Sequence, residues 1–101
     1  MANTQVEKKQ GIFTLELPKN GNGPEVWTVQ LTDIQEDIYV AASRLFRKEG
    51  KELEGMKFLI RNLFCGGDNL NDVLKDWKAV YASAEQIMSL LPEGQGRLKK
   101  N

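Results

Sequence analysis

Asp68, Asp72 and Asp76 recur at intervals of four, which places their carboxylates on one face of any helix that contains them. A row of carboxylates can hold a cation, or it can be a solvated face plus an N-cap, for which Asp68-Asn69-Leu70-Asn71 offers several residues. The second reading is favoured, because an EF-hand loop needs alternating oxygen ligands and a closing glutamate, and neither follows Asp68. The other carboxylate pairs, Glu36 with Asp37 and Glu52 with Glu54, are close neighbours that do not face one another on a helix. Cys65 is the only cysteine and stands before Gly66-Gly67. A thiol at a helix C-terminus gains nothing from the helix dipole, and the chain has no histidine to take its proton. Cys65 therefore reads as a buried structural residue. Without histidine there is no Ser-His-Asp or Cys-His pair and no imidazole metal ligand. One cysteine makes no internal disulfide and completes no zinc site, and it fits a reducing compartment. Gly21, Gly23, Gly66 and Gly67 match no phosphate-binding loop and read as turn punctuation. The expectation is a protein with no catalytic set, no cofactor and no metal, so that the question becomes which partner it binds.

The remaining composition narrows the class. At 101 residues the chain has room for one domain with a modest core. Its 14 basic and 14 acidic residues balance, but five basic residues and one acidic residue lie outside residues 10–96. The body thus holds nine basic and thirteen acidic residues, net −4, between short basic ends. An acidic body argues against nucleic-acid binding, which calls for a basic face. Apolar runs such as Phe58-Leu59-Ile60 are far too short for a membrane span, and Met1 to Gln10 lacks the apolar core of a secretory signal. A soluble, cytoplasmic protein is expected.

Residues 1–9 are polar and aperiodic, and read as a flexible leader. Phe13, Leu15 and Leu17 then alternate with polar neighbours, as do Trp27, Val29 and Leu31. Between them, residues 18–24 concentrate proline, glycine and asparagine, so an antiparallel β-hairpin is predicted. Thr32-Asp33-Ile34-Gln35 has the form of a capping box, which starts a first helix over about 33–49. A second helix is predicted over about 51–65, with Gly55 as an unfavourable interior residue. A third follows over about 70–91, where Val73, Trp77, Val80, Tyr81, Ala84, Ile87, Met88 and Leu91 recur every three or four residues. Trp27, Trp77 and Tyr81 fall on the expected core faces. The fold class is α+β: an N-terminal antiparallel hairpin followed by three helices packed on it. Residues 10–92 form the single domain, and 93–101 a flexible basic tail.

Four apolar residues lie off these core stripes: Val40, Phe58, Leu59 and Leu90. Either they form a surface for a partner or a second copy of the chain, or the middle helix is sandwiched and buried on two sides.

From Phe13-Thr14-Leu15-Glu16-Leu17-Pro18, through Trp27-Thr28-Val29-Gln30-Leu31-Thr32, to Ser89-Leu90-Leu91-Pro92, the chain resembles the tail assembly chaperones of long-tailed bacteriophages. The likeness spans roughly residues 11 to 92 and lies in the order of elements, not in a signature motif. It implies a non-catalytic protein of the host cytoplasm that holds the tape-measure protein until tail-tube protein polymerises around it. In that family the gene often ends near a slippery heptanucleotide, and the terminal Lys99-Lys100-Asn101 can be encoded by such a string. The alternative is a small virion component, at the head-tail junction or baseplate, acting as a homo-oligomer.

Overall fold

The computed structural model describes residues 11–91 and the backbone of Glu7–Lys9. The expected α+β class is found. Strands β1 (Glu7–Lys9), β2 (Ile12–Pro18), β3 (Val26–Thr32) and β4 (Phe64–Gly67) form one antiparallel sheet in sequential order. Five helices accompany it: α1 (Glu36–Arg47), α2 (Glu52–Leu63), α3 (Leu70–Lys75), α4 (Trp77–Ala82) and α5 (Ala84–Met88).

The hairpin forms because the two alternating runs bury matching faces. Leu15 stands opposite Val29, and Leu17 opposite Trp27. Leu15, Leu17, Val29 and Leu31 are all fully buried against Leu59, Ile60 and Leu63 of α2, Val73 of α3, Val80 of α4 and Ile87 of α5. The hairpin connection is a single 3-10 turn at Lys19–Gly21, in which Asn20 takes the left-handed conformation at φ 60°.

Several expectations are corrected. Glu7–Lys9 belong to the sheet, not to a leader. Gly11 turns at φ 78°, a conformation open to glycine, and Lys9 then pairs with Ile12 and Glu7 with Thr14. Residues 1–6 and the basic tail 93–101 lie outside the described residues. Where β1 stops, the side-chain amide of Gln86 continues the pairing. The Glu16 N–H donates to Gln86 Oε1 at 3.2 Å, and Gln86 Nε2 donates to the Glu16 carbonyl at 2.8 Å. One amide carries both a donor and an acceptor, so it can stand in for a strand residue.

The capping box does not form, because Thr32 is still in β3 and its hydroxyl donates to the Leu63 carbonyl at 3.4 Å. Helix α1 starts three residues later, at Glu36, behind a Gln35 N-cap that makes no side-chain bond. Helix α2 ends at Leu63, and the next four residues turn into β4 against β3. Leu31 pairs with Phe64 and Gln30 with Gly66, which leaves Cys65 as the extra residue of a bulge and exposes it. The expectation of a buried cysteine therefore fails.

The predicted third helix is three short ones. Asp76 interrupts it at φ −89° and ψ 74°, and Ser83 at φ −100° and ψ 21°. Both residues hydrogen-bond the nearby backbone: Asp76 accepts from Ala79 N–H, and the Ser83 hydroxyl donates to the Ala79 carbonyl. Such local bonds compete with helix continuation while leaving the apolar period of the sequence intact.

Candidate functional site

The residues expected to meet a partner are not brought together. Leu59 is fully buried and Leu90 is 5% exposed, so neither is available at the surface. Phe58 is half-buried and packs against the core. Only Val40, 39% exposed, stands at the surface. The reason is that α2 is sandwiched, with α1 on one side and β3, α4 and α5 contributing to its other contacts. Helix α2 accordingly buries Gly55, Met56, Leu59, Ile60 and Leu63.

The exposed aromatic surface lies elsewhere. Trp77 is 49% and Tyr81 59% exposed, although the period had placed both in the core. The break at Asp76 re-aims the following helix, so that α4 buries Ala79 and Val80 instead. Trp77 and Tyr81 are four apart on α4 and share one face. No signal in the apolar period could have revealed this. An aspartate inside a predicted helix was the available hint of an internal N-cap.

Trp77 borders an open cleft of about 410 Å³ between the hairpin turn and α3–α4, lined also by Asn20, Trp27, Asp72, Lys75, Asp76 and Lys78. Asp76 organises it. Its Oδ2 accepts from Asn20 N–H at 2.9 Å and from the Trp27 indole N–H at 2.8 Å, while Oδ1 accepts from Ala79 N–H at 3.2 Å. Burial alone would raise the Asp76 pKa. The bonds from Asn20, Trp27 and Ala79, with the nearby Lys78 charge, outweigh that and hold it below the ordinary value of 3.8. The turn comes close enough to α4 that a Cβ on Gly21 would meet the Lys78 carbonyl at 3.1 Å. Lys19 Nζ lies 4.4 Å from the Trp27 ring centre and 3.8 Å from a Glu25 carboxylate oxygen, and Lys78 Nζ lies 5.9 Å from the Trp77 ring centre.

The aspartate row is divided among structural tasks. Asp68 accepts from Thr28 N–H at 2.8 Å, and its own N–H donates to the Thr28 carbonyl at 2.8 Å, continuing the β3–β4 pairing by one residue. Of the N-cap residues offered by 68–71, Asn69 caps α3, by accepting from Asp72 N–H at 3.1 Å. Among the described residues no three Cys, Asp or Glu side chains gather closely enough to hold a metal ion. The Asp76 carboxylate is committed to three donors, so what the cleft offers a ligand is aromatic surface with Lys75, Lys78 and the exposed Asp72 at its margin. No described helix is long and apolar enough to cross a membrane. No protein-family model, curated protein or solved structure matches the chain.

Proposed function

We propose that this chain is a non-catalytic phage tail assembly chaperone, which binds the tape-measure protein and helps recruit tail-tube protein while the tail is built. The observation that carries the reading is the exposed Trp77–Tyr81 pair on α4, beside the half-buried Trp27. Large aromatic side chains left at the surface of a small domain are the usual anchors of protein interfaces. A pair at i and i+4 suits an amphipathic helical client, whose apolar side is prone to aggregate until it is covered. The N-terminal hairpin followed by helices is in keeping with the resemblance, although β1, β4 and the division of the third helix depart from the expected order. Fold alone assigns no function.

The test is co-expression with a tape-measure protein encoded in the same genome, and a genome without one would overturn the reading. The expected result is a soluble complex with the wild-type chain. Replacing Trp77 and Tyr81 together by alanine should weaken that complex by at least about 30-fold, the effect of losing one strong anchor. About half of each side chain is exposed, so the variant should melt somewhat lower yet stay folded at the assay temperature, which circular dichroism checks. A tape-measure protein that stays insoluble, or a double variant that binds as well as wild type, overturns the reading. Retention of the chain in finished particles, seen by mass spectrometry, would instead assign it to the virion structure.

A further inference from the structure

Helix α1 packs chiefly on α2, burying only Ala42 completely, and its opposite side is open among the described residues. At about 100° per residue, Glu36, Asp37, Val40, Arg44 and Arg47 fall within about 100° of arc on that open side. Read along the helix, this strip is acidic, acidic, apolar, basic, basic, and Lys48 extends its basic end. All of these residues are exposed.

Among the described residues no ion pair neutralises the charges of the strip. The ion pairs among the described residues are Lys19–Glu25 and Lys51–Glu54, and neither involves the strip. Asp37 accepts from Ile38 N–H at 2.9 Å, which ties it to the first turn but supplies no counter-charge. Residues four apart along the strip pair Glu36 with Val40 and Val40 with Arg44, so no acid meets a base at i,i+4 spacing.

We propose that this face of α1 binds the same face of a second copy of the chain, antiparallel about a two-fold axis near Ala42. The sequence of charges is its own complement when reversed. With the axis there, Asp37 meets Arg47 of the other copy and Glu36 meets its Lys48. Val40 lies against the aliphatic stem of the opposing Arg44, and each contact occurs twice, as an isologous interface requires. An acid-to-base gradient also suits the helix dipole, but the dipole does not call for an apolar side chain, 39% exposed, at the centre of the strip. Two 12-residue helices bury less than the roughly 1,200 Å² of a standard stable interface, so the dimer is concentration-dependent and weakened by salt. The Trp77–Tyr81 face lies on a different helix, and the inference does not depend on the client proposed above.

Sedimentation equilibrium of the wild-type chain, from micromolar to millimolar at low salt, should show the mass rising towards twice that of the monomer, and falling back in 0.5 M salt. R44E/R47E/K48E turns the strip wholly acidic and E36K/D37K turns it wholly basic. Each variant alone should be monomeric, and an equimolar mixture should form a heterodimer more salt-sensitive than wild type. Circular dichroism checks that both variants keep their helices. A wild-type chain that stays monomeric at millimolar concentration overturns the proposal, and this measurement needs no variant. So does either variant that dimerises like wild type, or a folded pair that fails to associate on mixing.

Discussion

Asp76 ties together positions 56 and 49 residues apart, by taking the Asn20 amide and the Trp27 indole on one carboxylate oxygen. It also starts α4 through its second oxygen. Removing it leaves a partly buried indole N–H and a helix end without acceptors. D76A should therefore cost about 2 kcal/mol, combining a lost N-cap with an orphaned donor. Urea unfolding measures the loss, and Trp27 fluorescence should shift to the red as the turn leaves α4. The pH dependence has a fixed sign. The folded-state pKa lies below the ordinary 3.8, so the ionised carboxylate stabilises the fold at neutral pH. That contribution is lost as pH falls below about 4 and through the folded value. D76N should flatten this acid limb of the stability curve while the rest of the curve keeps its shape. A D76A chain within about 0.5 kcal/mol of wild type, the range of ordinary surface changes, would remove Asp76 from this role.

At the scale of elements, Gly55 shows how a residue unfavourable to a helix can be required by its packing. A Cβ there would lie 2.8 Å from Cε1 of Phe46, so the glycine is what lets α1 sit down on α2. Alanine normally gains about 1 kcal/mol over glycine inside a helix, but forcing a methyl group into a filled contact costs about 1–3 kcal/mol. G55A should therefore destabilise by about 1 kcal/mol in urea unfolding, and adding F46L should recover most of the loss. A stabilised G55A would mean that propensity, not packing, governs the contact. The sequence made the hairpin legible because Leu15, Leu17, Val29 and Leu31 alternate and all point into one core. Helix α2 was legible in part, from the helical spacing of Met56, Ile60 and Leu63, while Leu59 was missed because α2 is buried on two sides. The apolar period failed where side chains bond the backbone locally. Asp76 and Ser83 split a continuous stripe, and the split carried Trp77 and Tyr81 out of the core and Leu90 into it. Strand β4 was illegible because Phe64-Cys65-Gly66-Gly67 has neither alternation nor β-branched residues, and takes its shape from β3. Its Gly67, at φ 109°, lies so close to Thr28 that a Cβ would stand 2.3 Å from the Thr28 carbonyl oxygen.

Across the molecule, both edges of the sheet formed by the described residues are short strands. The β4 edge is bent by the Cys65 bulge, and the β1 edge is a three-residue strand with the sequence Glu-Lys-Lys. Short, charged or bulged edges are how sheets avoid pairing with another chain. The two proposed contact faces, on α1 and α4, accordingly lie away from the sheet edges. This gives β1 a purpose that its polar sequence conceals, since it covers the part of β2 that Gln86 does not reach, from Ile12 to Thr14. A chain beginning at Gln10 would present those backbone groups, beside Ile12 and Phe13, as a bare apolar edge. Losing one short strand is worth about 1 kcal/mol of hydrogen bonding, and in a domain of this size that lowers Tm by about 4–8 °C. The truncated chain should also scatter light on heating in a concentration-dependent way, whereas the full chain stays clear. Equal melting temperatures and clear solutions for both would mean that β1 neither stabilises the sheet nor guards its edge. The surfaces open to partners would then have to include β2.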